Sequence, residues 1–214
     1  MSNLSNPVLS PAYPGANVPV SRVLADAIPG DRVRDLLLIL GGAGLTALAA
    51  QFTFRLPDSP VPITAQTLAV VLAGSALGSR RGAASQLLYM ILGLFLPIYA
   101  GGTSGGSVIS GVDGGYLVGF IVAAGLIGWA SEHGADRKLL LGVAMFALGQ
   151  LAIYVIGVPW LKAAWPASFG PDPWSHAIHV GFTVFIYSGI VKAVIAAALM
   201  PTAWRIERRV RTGR

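Results

Sequence analysis

The chain contains no cysteine. That excludes a disulfide framework, thiol catalysis and cysteine-based metal sites together. Charge is scarce as well: only 11% of the 214 residues are Asp, Glu, Lys or Arg. A water-soluble domain carries about 25% to cover its surface, so the composition points to a chain solvated by lipid. Acidic residues are the scarcer sign, nine against fifteen basic, for a formal net charge of +6. No G-x-x-x-x-G-K-[ST] stretch occurs, so nothing in the chain is built to hydrolyse ATP. There is no internal repeat and no separate soluble domain.

Apolar residues are abundant: 54% of the chain, with a mean hydropathy of +0.68. Runs of such residues cover 36–54, 63–78, 82–100, 116–130, 139–158 and 178–204. A span needs about 20 residues, and these six runs predict an all-α bundle of six transmembrane helices over residues 35–204. Residues 1–34 read as a flexible cytoplasmic tail. Pro7, Pro11, Pro14, Pro19 and Pro29 interrupt it, and no apolar stretch there reaches the length of a signal-peptide core. Residues 205–214 read as a basic cytoplasmic tail.

The basic residues fix an expected orientation. Twelve of the fifteen fall in the N-terminal tail, the linkers 79–81 and 131–138, and the C-terminal tail; only Arg55 and Lys162 fall in the opposite linkers. By the positive-inside rule both termini lie in the cytoplasm. The positive charge is then a topology signal, and nucleic acid is not an expected partner.

Three linkers share the external face. Residues 55–62 carry Pro57, Pro60 and Pro62, which make them stiff and non-helical. Residues 101–115 hold seven glycines and three serines, too glycine-rich for a stable helix. Residues 159–177 hold four prolines with Trp160, Trp165 and Trp174, rings suited to a half-wet membrane interface. His176 and His179 read as interfacial, with no metal implied.

Lys192 is the fifteenth basic residue, placed inside the last apolar run. An ammonium there costs at least a few kcal/mol and marks a function. It lies about 18 Å of helix from Arg205, too far to snorkel to the cytoplasmic interface. Its natural partner is an anionic ligand group, most simply a carboxylate. Glycines in 101–115 let backbone groups approach a ligand, and Thr103, Ser104 and Ser107 add hydroxyls; a plain flexible loop is the alternative. Asp113 is placed either to accept hydrogen bonds from ligand N–H groups or to cap the following helix. Gln66, Thr67, Gln86 and Tyr89 are polar groups within apolar runs, available to a ligand or to neighbouring helices. Gln86 and Tyr89 share a helix face. Ala43 and Ala47 form a small-xxx-small pattern for close packing, inside the bundle or against another membrane protein.

Val61-Pro-Ile-Thr-Ala-Gln-Thr67, Leu87-Leu-Tyr89, Leu96-Pro-Ile-Tyr-Ala-Gly-Gly102 and Gly114-Gly-Tyr-Leu-Val-Gly-Phe120 occur in this order. With these blocks the chain resembles the BioY family, biotin-specific substrate-binding subunits of energy-coupling-factor transporters, over about residues 35–203. The resemblance implies six helices with an external loop gating a vitamin site. It implies biotin as ligand, and an energy-coupling transmembrane subunit and two ATPase subunits as partners. ATP would be used only by those partners, and no cofactor is expected. It brings Gly102 and Tyr116 into the candidate site and assigns Ala43 and Ala47 to the coupling-subunit contact. The expected location is a bacterial inner membrane. Two departures stand out. The family's Pro-Gly-Asp-x-x-Lys pattern reads Tyr187-Ser-Gly-Ile-Val-Lys192 here, and Gly-Pro-Thr-Gly-Gly reads Gly111-Val-Asp-Gly-Gly115. The lysine is kept while the acid position is Gly189, and Asp113 is the carboxylate available to replace it.

Two rival readings belong to other classes. Gly102-Thr-Ser-Gly105 matches the GxSG pattern of a rhomboid-type intramembrane serine protease, with His176 or His179 as base. No His or Asn in the second run would complete its oxyanion site. A stand-alone secondary transporter would need an ion-coupling residue, and Lys192 is the only intramembrane charge.

Overall fold

A computed structural model describes residues 23–28, 30–56, 59–165 and 174–212. Most of the expected N-terminal tail and the tips of two linkers lie outside the described residues. Helix α1 spans Arg32–Gln51, its first turn capped by Asp31, whose carboxylate accepts from the Val33 N–H at 3.1 Å. The charged end of the expected tail is therefore already helical from Arg32. Strands β1 (Thr53–Phe54) and β2 (Ile63–Thr64) pair antiparallel, Thr53 opposite Thr64. They close the proline-rich linker into a narrow hairpin.

Helices α2 (Gln66–Leu77) and α3 (Ser79–Leu92) are separated by Gly78 alone. Its φ of +86° turns the chain in a single residue, which an L side chain would resist. The third run was expected to stay helical to residue 100, but α3 ends at Leu92. Pro97 disfavours helix at Leu96, and a Cβ at Gly93 would stand 2.1 Å from the Tyr99 ring, so the chain folds back there. The glycine-rich segment is not wholly irregular: Gly106–Ser110 form the short helix α4.

Helices α5 (Gly114–Glu132) and α6 (Leu139–Ala163) form a long hairpin. The last run divides into α7 (Trp174–Gly181) and α8 (Ile186–Thr212), joined by a tight turn over Thr183–Phe185. Residues 205–212 continue α8 rather than forming a loose tail. Arginines near a helix C-terminus complement its dipole, which favours that extension. Among the described residues, α1, α5, α6 and the stretch Trp174–Val210 are long and apolar enough to cross a membrane, and α2 is a shorter apolar helix.

Helix α5 is central. Leu117, Phe120, Ala123, Ala124 and Ile127 are all buried between α2, α3 and α6. Its first turn needs glycine for space: a Cβ on Gly114 would meet the Ile109 carbonyl oxygen at 1.7 Å, and one on Gly115 would meet the Trp160 Cβ at 2.2 Å.

Polar ties mark the two ends of the bundle. At one end, Ser59 Oγ donates to the Val180 carbonyl at 3.0 Å, Trp160 Nε1 to Gly111 at 3.0 Å, and Tyr116 Oη to Gly181 at 2.9 Å. These bonds gather the three glycine- and proline-rich linkers, or the helix ends beside them, at this end. At the other end, Arg81 pairs with Asp26 and Asp35, and Glu132 accepts from the Ser79 N–H. Beside this cluster Asp136 is buried. One of its oxygens accepts from Trp204 Nε1 at 2.8 Å and from Ser75 Oγ at 3.2 Å. Ser131 Oγ in turn donates to Ser75 Oγ at 2.8 Å.

Candidate binding site

Where the three linkers meet, a cavity of about 560 Å³, its mouth included, runs between α2, α5, α6 and α8. Its polar members are Thr64, Gln66, Thr67, Asp113 and Lys192; its walls include Val61, Phe120, Tyr154 and Phe185. The sequence brings them together through the hairpin β1–β2, which delivers Thr64 to the start of α2, and through the turn before α8.

Lys192 sits in the second turn of α8 with its side chain turned onto the start of α2. Its ammonium donates to the Thr64 carbonyl oxygen at 2.6 Å and to Thr67 Oγ1 at 3.0 Å. No carboxylate lies within ion-pair distance of it among the described residues. The N-terminus of α2 carries no side-chain cap from its N-cap residue Ala65, and its partial positive charge opens on the same cavity. An ammonium and a helix N-terminus side by side repel one another and together favour an anion.

Asp113 borders the same cavity from the turn before α5. It occupies the N-cap position, yet its side chain makes no capping bond. Burial pushes its carboxyl up to about 6, and the positive charge of Arg55 opposes the shift. The capping alternative is thus not realised, and the carboxylate accepts no hydrogen bond among the described residues.

Gln66 borders the cavity and is held from behind: its Nε2 donates to Tyr89 Oη at 2.7 Å, and Tyr89 Oη donates to the Ile98 carbonyl at 3.1 Å. Tyr89 is fully buried in that supporting position rather than in the cavity wall. Tyr116 does line the cavity, with its hydroxyl committed to Gly181.

A family model described as the BioY family matches residues 19–209. The chain belongs to the BioY family. It is 36% identical over 165 residues to the biotin transporter BioY2 of Lactococcus lactis subsp. cremoris, covering 77% of this chain and 86% of the relative. The biotin transporter BioY of Thermotoga maritima is 32% identical over 163 residues, 76% of this chain and 92% of the relative. A crystal structure of the S-component for biotin from an ECF-type ABC transporter shares the fold. Its TM-score is 0.70 at 20% identity, over 81% of this chain and 92% of that chain. This BioY chain is a multi-pass membrane protein, and its relatives are transporters rather than enzymes.

The remaining expected site residues lie elsewhere. Gln86 is fully buried against α1, accepting from Thr46 Oγ1 at 3.1 Å and donating to Ser85 Oγ at 3.1 Å. Gly102, Ser104 and Ser107 are exposed on the linker between α3 and α5 and do not line the cavity. Ser104 has no hydrogen bond to His176 or His179, and the His176 ring packs edge-on against Trp165. The arrangement a serine protease needs is not assembled among the described residues. Ala43 is 2% exposed and Ala47 is half-buried against the same core, so this pair packs within the bundle. The outward small positions of α1 are Gly41 and Gly44.

Tyr154, Phe120 and Phe185 were not singled out from the sequence. Their spans are apolar on every side, so no periodic pattern shows which face meets a cavity. For Tyr154 a signal existed: a lone phenol in an apolar run invites the same question as Gln66.

Proposed function

We propose that this protein is the biotin-binding subunit of an energy-coupling-factor transporter in a bacterial inner membrane. Six membrane-crossing segments, both termini cytoplasmic and the cavity facing outward complete the reading. The observation that carries it is the half-buried ammonium of Lys192, with no carboxylate at ion-pair distance among the described residues, in a cavity that also holds Asp113, whose carboxylate accepts no hydrogen bond among those residues. Biotin matches this pair: a carboxylate for Lys192 and the α2 N-terminus, ureido N–H groups for Asp113, and an apolar ring and chain for the Phe120, Tyr154 and Phe185 walls. Relatives that are biotin transporters support the ligand, and the S-component fold supports coupling to a transmembrane subunit and two ATPases. With 12 of 15 basic residues on one side, the charge asymmetry supports the orientation.

The test has two stages. Purified protein is first titrated with labelled biotin; absence of saturable binding overturns the ligand. The protein is then reconstituted into liposomes with and without the coupling subunit and ATPases. Uptake only in the presence of partners and ATP is the expected result. Uptake by the protein alone would establish a stand-alone transporter instead.

A further inference from the structure

Beside the Lys192 cavity lies a second, mostly apolar groove of about 870 Å³, its open side included, between α6 and α8. Tyr154 and Phe185 line both spaces, so the groove adjoins the cavity along these two side chains. The groove holds the amide side chain of Gln150. Gln150 is 6% exposed, and its Oε1 has no hydrogen-bond partner. A buried acceptor left without a donor costs on the order of 1–3 kcal/mol, and an amide so placed needs an explanation. Gly189 faces it from α8. A Cβ built there would stand 3.7 Å from Gln150 Nε2 and 3.7 Å from Tyr154 Oη, so the missing side chain leaves a notch bordered by two polar groups. Gly189 lies three residues before Lys192, one helical turn away along α8.

We propose that Gln150 is a specificity-determining residue, whose side-chain oxygen accepts a hydrogen bond from an N–H of the bound ligand at the Gly189 notch. The inference rests on the biotin reading and deepens it. A cyclic urea carries two N–H donors, and two acceptors without donors among the described residues border these adjoining spaces: the Asp113 carboxylate and the Gln150 amide. Each takes one. A site built to hydrogen-bond a ligand N–H rejects analogues lacking it far more strongly than an apolar pocket can.

The experiment compares wild type, Gln150→Leu and Gly189→Ala for biotin and for the two derivatives methylated on one ureido nitrogen. The thermal midpoint of each ligand-free protein is measured alongside. Leucine keeps the bulk of Gln150 and removes the orphaned acceptor, so the ligand-free midpoint is expected to hold or rise. Biotin affinity is expected to fall roughly 10-fold or more. Wild type should reject both methylated derivatives, whereas Gln150→Leu should stop rejecting one of them. Gly189→Ala adds a methyl at ordinary contact distance and should fold, while filling the notch and weakening biotin. Wild-type affinity and unchanged discrimination in both variants would overturn the proposal. So would a lower ligand-free midpoint in Gln150→Leu with discrimination intact, since the amide would then be serving the protein or a lipid. Wild type that fails to bind biotin at all removes the biotin reading first, and this inference with it.

Discussion

Lys192 Nζ donates to the Thr64 carbonyl oxygen at 2.6 Å, linking α8 to the residue that leads into α2. In the ligand-free protein the ammonium is therefore parked on neutral acceptors at a helix N-terminus, a poor home for a cation. A carboxylate entering the cavity would satisfy both at once.

Replacing Lys192 with methionine keeps most of the side-chain length and removes the charge. Biotin affinity is expected to drop by at least roughly 100-fold, the scale for removing one partner of a buried charge pair. The ligand-free protein should be no less stable, because an uncompensated buried ammonium disappears. Isothermal titration and a thermal melt check the two halves. Undiminished affinity would refute the assignment of Lys192 to the ligand.

The raised carboxyl of Asp113 gives binding a pH signature. With its ionisation near 6, Asp113 is a full acceptor above that value and protonated below it. Biotin affinity should weaken as pH falls from 7.5 to 5, by roughly 10-fold, because charged acceptors bind N–H groups about twice as strongly as neutral ones. In Asp113→Asn this component should vanish, and the ligand's own carboxyl, common to both proteins, cancels from the comparison. Ligand-free stability runs the other way. The folded carboxyl holds its proton more tightly than the unfolded one at 3.8, so its contribution is present at low pH and lost as pH rises towards about 6.

How much of this was visible in the sequence follows from the kind of residue concerned. Lys192 and Asp113 were readable because a charge beside or within apolar sequence has few explanations. Glycine and proline clusters marked the three linkers that the ties of Ser59, Trp160 and Tyr116 gather at one end. The end of α3 at Leu92 was not readable, because residues 93–96 remain apolar and only the packing of Tyr99 onto Gly93 reveals the reversal. Ala43 and Ala47 illustrate a second limit. Their spacing signals close packing, but the side of α1 they occupy depends on neighbours that only the fold supplies. Gln86, Tyr89 and Gln150 are alike as polar residues in apolar runs; the first two are satisfied inside the protein and Gln150 Oε1 is not.

Gly189 offers a rescue experiment. Asp113→Ala should weaken biotin binding, and Gly189→Asp introduced into that background should restore part of it. Gln150 Nε2 and Tyr154 Oη stand close enough to the new side chain to donate to its carboxylate, and Lys192 lies one turn away. Recovery of affinity in the double variant is the expected readout of a titration. No recovery, where Gly189→Asp alone leaves biotin binding intact, would show that Asp113 does not stand in for an acid at this position.

At the opposite end, Trp204 and Asp136 supply a test of stability rather than binding. Asp136 is 1% exposed, and burial raises the pKa of its carboxyl despite the donors Trp204 and Ser75 and the nearby charge of Arg137. Its other oxygen, Oδ1, has no partner, so the carboxylate depends on the bonds it has. Trp204→Phe removes the indole donor and should cost about 1–3 kcal/mol. Asp136→Asn removes the desolvated charge, so adding Trp204→Phe to it should cost less than in wild type. The difference in a double-mutant cycle of thermal or denaturant unfolding measures the coupling. Biotin affinity should stay within a factor of about two in all three variants, since this cluster lies at the other end of α8 from Lys192. Additive costs would show that the indole stabilises α8 by packing alone, with no contribution from its bond to the carboxylate.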